Sequence, residues 1–186
     1  FLKTSDAELL VTRTEITSND RRTWRLGRQG ELWAAPFERL SQSWRTVTYD
    51  HRGTGATRHS APAITFDLLV GDLFRVLDAL NIDTCVLAAE SMGAMVALEA
   101  ALRHPERFTG LVIVGGRYSG ARIITLPTLV LHGRQDVIAP LASSERLVEL
   151  VAGSKLVVAE DAGHVPTVTR PNWVASEINA FFATPA

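Results

Sequence analysis

Three side chains in this sequence are of the types that together turn a hydroxyl into a nucleophile: Ser91, Asp136 and His164, in that order along the chain. A serine hydroxyl attacks a carbonyl only when a base takes its proton, and an imidazole does this near neutral pH. A carboxylate beside the imidazole fixes its tautomer and stabilises the imidazolium as it forms. Acting together, the three would move an acyl group first to Ser91 and then to water. Taken singly, each has a plainer reading. Ser91 could be a buried cap of an ordinary helix, Asp136 a turn residue, and His164 a loop histidine bonded to backbone.

For these groups to meet, each must stand at the end of an element that aims it. Cys85-Val86-Leu87-Ala88-Ala89 is an apolar run with the length of a buried strand. Met92 to Leu102 is rich in strong helix formers. Between them lies Glu90-Ser91, so the chain must bend sharply, and the small residues Ala89 and Gly93 allow it. Such an elbow pushes Ser91 out at its tip, with a helix N-terminus behind it whose N–H groups favour negative charge. Leu126 to Gly133 reads as another strand, with Asp136 in the loop after it. Ser154 to Val158 reads as the last strand, followed by Asp161-Ala162-Gly163-His164. All three residues therefore fall at the carboxyl ends of strands, where open α/β sheets collect function.

The remaining chain supplies the frame. Glu8 to Ile16 reads as one edge strand, Ser18-Asn19-Asp20 as a turn, and Arg21 to Leu26 as too basic for a buried central strand. From Leu26 the chain opens into a helix ending near Ser41, with Trp33, Phe37 and Leu40 on one face. Trp44 to Tyr49 is a short strand whose loop, Asp50-His51-Arg52-Gly53-Thr54-Gly55, is shaped by its charged residues. Thr65 caps a helix to about Leu80, His104-Pro105 ends the elbow helix, and Gly110 to Gly115 is a further apolar strand. Helices follow over about 142–151 and 172–182. Apolar strands alternating with amphipathic helices specify an α/β fold with a mostly parallel, doubly wound sheet covered on both faces. The chain reads as one domain over residues 1–186, with residues 1–30 its least legible part.

Composition narrows the function classes. The 186 residues are 46% hydrophobic and 21% charged, with a net charge of −1, which gives no reason to expect nucleic acid or an anionic membrane as partner. One cysteine, Cys85, excludes an internal disulfide framework. No apolar run approaches the ~20 residues of a membrane span. No metal-ligand spacing or phosphate-binding glycine loop occurs, so no cofactor or metal is expected. The chain lacks an initiator Met and a signal-peptide layout, which suggests a fragment or processed product with the cytoplasm as expected location.

From Trp33 onward the sequence resembles the α/β-hydrolase superfamily, most closely the branch of 3-oxoadipate enol-lactonases and small esterases. The likeness rests on Tyr49-Asp50-His51-Arg52-Gly53-Thr54-Gly55, on Ala89-Glu90-Ser91-Met92-Gly93, on Leu129-Val130-Leu131-His132-Gly133 with Asp136, and on Asp161-Ala162-Gly163-His164. The Ser–acid–His order is also that superfamily's. The resemblance implies a serine hydrolase acting on a small carboxylic ester or lactone. It implies an oxyanion hole of two backbone N–H groups, one from Met92. The other follows a His-Gly pair in the family. Here Leu26-Gly27-Arg28-Gln29-Gly30 keeps the glycine spacing without the His, and Arg28 is the donor expected there. Glu90, Trp33 and Val137 are candidate pocket residues, Glu90 either lining the pocket and disfavouring anions or facing solvent beside the elbow.

Relatives place a helix and usually a helical cap after the strand ending at Gly115. Here Gly116 to Ile123 is too short for a helical crossover, which needs about ten or more residues. Either a cap segment is missing near 116–123 or the domain is capless, and apolar surface left over the sheet would then call for a second chain, as in a homo-oligomer. Two other readings keep the same residues. One is carbon–carbon bond hydrolysis of a ring-fission product; the other is a non-catalytic ligand-binding relative.

Overall fold

The structure, a computed structural model, describes residues 1–14, 24–28, 30–117 and 124–182, with side chains at 1–12, 32–117 and 124–182. In chain order come β1 (Leu2–Lys3), β2 (Ala7–Leu9), β3 (Val11–Thr14), β4 (Trp24–Arg28), α1 (Gly30–Leu40), β5 (Thr46–Tyr49), β6 (Arg58–His59) and α2 (Phe66–Ala79). Then follow β7 (Cys85–Glu90), α3 (Met92–Arg103), β8 (Phe108–Val114), β9 (Thr128–Gly133), α4 (Leu141–Leu150), β10 (Lys155–Ala159), α5 (Pro166–Thr169) and α6 (Pro171–Phe182). Among the described residues, the main sheet has the order β10-β9-β8-β7-β4-β5-β3, parallel except for β3. Strands β1, β2 and β6 make a small antiparallel sheet beside it.

The alternation of side chains along each strand loads both faces of the main sheet. Cys85, Leu87 and Ala89 of β7 pack with Leu73, Val76 and Leu77 of α2 and Val96, Ala97 and Leu98 of α3. Val86 and Ala88 point the other way, into a second core with Trp33, Phe37 and Leu40 of α1 and Val174 and Ile178 of α6. This is the α/β architecture with a mostly parallel, doubly wound sheet. The order reverses between β4 and β7: α1 carries the chain from β4 to β5, and α2 carries it back across to β7. Such a switch point opens a crevice at the carboxyl ends of its strands.

Several expectations are corrected. Within the stretch from Glu8 to Ile16, the described residues, up to Thr14, form two strands in different sheets. Leu10 interrupts it, because its N–H donates to Thr57 Oγ1 and its carbonyl accepts from Asp50 N–H. Glu15, Ile16, the Ser18-Asn19-Asp20 turn and Arg21 to Thr23 lie outside the described residues. Strand β4 is internal, paired with β5 on one side and β7 on the other, despite its arginines. The ladder is built from backbone groups that every non-proline residue supplies, so polar side chains do not forbid it. The first helix opens at Gly30 and not at Leu26, because Leu26 to Arg28 complete β4. Most of the short β8–β9 connection, residues 118–123, is outside the described residues; its flanks hold no helix, and β8 and β9 pair directly in parallel.

Cys85 begins β7 with no exposed surface, and burial pushes its thiol up to about 12. Only the thiolate reacts with disulfide reagents. Native protein is therefore expected to leave Cys85 unmodified by Ellman's reagent over a period in which urea-unfolded protein titrates fully. Stoichiometric modification of the native state would contradict the burial.

Candidate active site

The elbow is built by backbone strain. Ser91 has φ 54°, ψ −124°, a left-handed φ that non-glycine residues rarely adopt and that costs of order 1–3 kcal/mol. It is held there from both sides: Ser91 N–H donates to Val114 O at 2.9 Å, and its carbonyl accepts from Ala94 N–H at 3.0 Å. Ala89 is buried and Gly93 sits in the core face of α3. Met92 is the first residue of α3, so its N–H has no acceptor within the helix.

Around this tip the structure gathers the other two residues. His164 Nε2 lies 3.0 Å from Ser91 Oγ, and His164 Nδ1 lies 2.8 Å from Asp136 Oδ2. A carboxylate only accepts, so Nδ1 carries the proton and Nε2 receives the serine O–H. The Asp136 side chain is 1% exposed and that of His164 is 16% exposed, so the acid is sealed while the imidazole touches solvent. Asp136 Oδ1 accepts the N–H groups of Ile138 and Ala139, each at 2.8 Å. Burial opposes ionisation of this carboxyl, yet the Ala139 N–H, the His164 bond and the Ile138 N–H together outweigh it and hold the group below the usual aspartate range. A lowered folded value stabilises the fold above the ordinary carboxylate range, and that contribution is lost as pH falls through the lowered value.

Two glycines fit the loops for different reasons, Gly133 by close approach and Gly115 by its positive φ. A Cβ on Gly133, the last residue of β9, would fall 2.2 Å from Gly163 O and 2.3 Å from Ala162 O, backbone atoms of the loop that carries His164. Gly115, at φ 55°, has Asp136 Oδ2 and His164 Cε1 3.6 Å from where its Cβ would be. The histidine loop is also tied to the acid's loop through Gln135 N–H to Ala162 O at 2.9 Å.

The other expected residues fall in different places. Arg28 is the final residue of β4; the β4–β7 register ends at Leu26 opposite Leu87, which puts the Arg28 backbone level with Ala89. Val137 is 96% exposed, directly after the acid in the chain. Two pocket assignments are corrected. Trp33 has no exposed surface; its ring packs 5.2 Å from Phe37 in the core beneath the sheet, so it presents nothing to a substrate. Glu90 is 2% exposed and does neither of the things expected of it, since its Oε2 accepts from Thr167 Oγ1 at 2.6 Å, a buried tie between the elbow and α5. Thr167 went unnoticed in the sequence because nothing there shows that α5 docks behind the elbow. His132 stands near the end of β9, and its place four residues before Asp136 in the chain is the signal that could have drawn attention to it.

Met92, Met95, Val137, Ile138 and Val168 are exposed apolar side chains that follow Ser91, Asp136 and His164 closely in the chain. No helix among the described residues is long and apolar enough to cross a membrane.

Comparison with known proteins accords with this geometry. The chain is 39% identical over 172 residues to the protein of Caulobacter vibrioides named "Putative carbamate hydrolase RutD", an alignment that covers 85% of the chain and 62% of that protein. It thus spans under two thirds of the length of that relative. Its fold is similar to those of an esterase from Thermogutta terrifontis (TM-score 0.85, 20% identity, covering 95% of this chain and 93% of that one) and an enol-lactonase from Burkholderia xenovorans LB400 (TM-score 0.86, 17% identity, covering 96% and 97%). At those identities the likeness concerns the fold. A family model described as TAP-like protein matches residues 117–186, and the alpha/beta hydrolase fold model matches residues 26–122. With that second model spanning more than half of the sequence, the chain belongs to the α/β-hydrolase fold family.

Proposed function

We propose that this chain is the core of a serine hydrolase that cleaves a small carboxylic ester or lactone through an acyl-enzyme. The observation that carries the reading is the hydrogen-bonded line from Ser91 Oγ through His164 to Asp136 Oδ2, with bonds of 3.0 and 2.8 Å. In this mechanism His164 Nε2 takes the Ser91 proton as Oγ bonds to the carbonyl carbon. The oxyanion so formed lies before the Met92 N–H, with the Arg28 backbone N–H as its second donor. Collapse of the tetrahedral adduct breaks the ester C–O bond, and His164 returns the proton to the leaving alcohol. Water, deprotonated by His164, then frees the acid and restores Ser91.

The relative's name brings carbamates into the same screen, since a carbamate offers Ser91 the same kind of carbonyl carbon. The test is intact mass after a fluorophosphonate probe. One adduct is expected on the wild-type chain and none on Ser91→Ala. A folded wild-type chain that takes no adduct would turn the reading toward ligand binding without turnover.

A further inference from the structure

His132 has no part in that chemistry, yet it is one of the most confined polar groups near it. Along β9, Leu129 and Leu131 face α1 and α6 while Val130 belongs to the opposite core, so His132 points to the side covered by α4. Its ring is fully buried and spans two elements. Nδ1 lies 2.8 Å from Ser144 Oγ of α4, itself fully buried, and Nε2 lies 3.0 Å from Ala139 O. A carbonyl oxygen only accepts, so Nε2 carries the proton and, in the neutral ring, Nδ1 accepts the Ser144 hydroxyl. Ala139 is also a residue whose N–H holds Asp136 Oδ1. The same Nε2 lies 3.6 Å from Asp136 Oδ2, the oxygen that faces His164. That is too long for a hydrogen bond, but it sets the positive end of the N–H dipole beside the carboxylate.

We propose that His132 is the positioning residue of the acid. In its Nε2–H form it clamps Ala139 to α4 and so keeps the 136–139 turn in the shape that aims Asp136 Oδ2 at His164. The inference rests on the role given to Asp136 above. A histidine that merely filled the core would affect stability when replaced and leave the alignment of Asp136 and His164 unchanged. A positioning histidine affects kcat, because a displacement of about 1 Å in such a line costs up to about 100-fold in rate.

The experiment compares variants of the full chain in hydrolysis of p-nitrophenyl acetate, with circular dichroism to establish folding. His132→Leu is expected to lower kcat about 10- to 100-fold with KM changed less than about twofold. His132→Gln, whose amide N–H can reach Ala139 O, is expected to recover most of that loss. The low-field proton of His164 Nδ1–H, followed by NMR, is expected in the wild type and in His132→Gln and to broaden or vanish in His132→Leu. If His132→Leu does not fold, Ser144→Ala replaces it. That variant removes only the bond onto Nδ1, with an expected kcat loss of about 2- to 10-fold, the size of one neutral hydrogen bond. Wild-type kcat and an unchanged His164 resonance in a folded variant would overturn the inference while the hydrolase reading stood. A wild type with neither turnover nor probe adduct would overturn both.

Discussion

Ser91→Ala is expected to lower kcat for an activated aryl ester by about 10⁴- to 10⁶-fold, with binding of substrate little changed. The geometry makes the loss this large because Oγ is the atom 3.0 Å from His164 Nε2, at the tip of a turn held in a strained conformation. The substitution deletes one atom from a half-exposed side chain and leaves the backbone bonds to Val114 and Ala94 intact, so unfolding free energy should change by less than about 1 kcal/mol. Asp136→Asn is the companion variant. The amide fits the same space and its oxygen can keep both backbone N–H bonds made to Oδ1, but its NH2, standing where Oδ2 was, favours the imidazole tautomer with the proton on Nε2, which cannot receive the serine proton, and about 10⁴-fold in kcat is lost. Both variants are measured by initial rates on purified, folded chain, over a range of substrate concentrations. Turnover by Ser91→Ala within about tenfold of wild type would remove Ser91 from the chemistry altogether.

How much of this could be seen in the sequence follows from the range of the interactions involved. The elbow was legible because everything that defines it is local: an apolar run, two small residues flanking Ser91, and a helix-forming stretch with no loop between. The strand-end positions of Asp136 and His164 were legible for the same reason. Strand β4 was not, since its place between β5 and β7 is decided by partners about 20 and 60 positions away in the chain, and its arginines argue the other way locally. The small sheet was hidden because β1 and β6 have two residues each, too few for any alternation to show. Trp33 was offered as a pocket residue although its spacing with Phe37 and Leu40 already marked a core-facing stripe, which is where it lies. Glu90 and His132 are the residues whose surroundings could not be inferred, because Thr167 and Ser144, which bond to them, arrive on helices docked from elsewhere in the chain.

The loop after β5 supports the largest expected effect on stability. Arg52, with a fully buried side chain, donates to both oxygens of Asp72 at 2.6 and 2.8 Å and to both oxygens of Asp6 at 2.6 and 3.0 Å. Asp72 is itself fully buried on α2, with Arg75 as a further partner at 3.0 Å, while Asp6 precedes β2. One guanidinium thus fastens the N-terminal strands and the Asp50–Gly55 loop to the helix that leads into the elbow strand. Arg52→Met keeps the stem but leaves the buried Asp72 carboxyl served by Arg75 alone of its two arginines. A broken buried pair of this kind costs about 3–5 kcal/mol, measured as the loss in urea-unfolding free energy. The double variant Arg52→Met/Asp72→Leu removes the stranded charge as well and is expected to recover most of the loss, since an ion pair and a packed apolar pair are often close in free energy. Acid titration adds an independent reading. The hydrogen bond from Arg52 holds the Asp6 carboxyl down at about 2. Its contribution is therefore complete above the ordinary carboxylate range and is lost as pH falls toward 2, a dependence that Arg52→Met should abolish. A single variant as stable as wild type, or a double variant no better than the single, would mean that the stranded Asp72 finds water or a new partner and that the guanidinium holds the loop by packing alone.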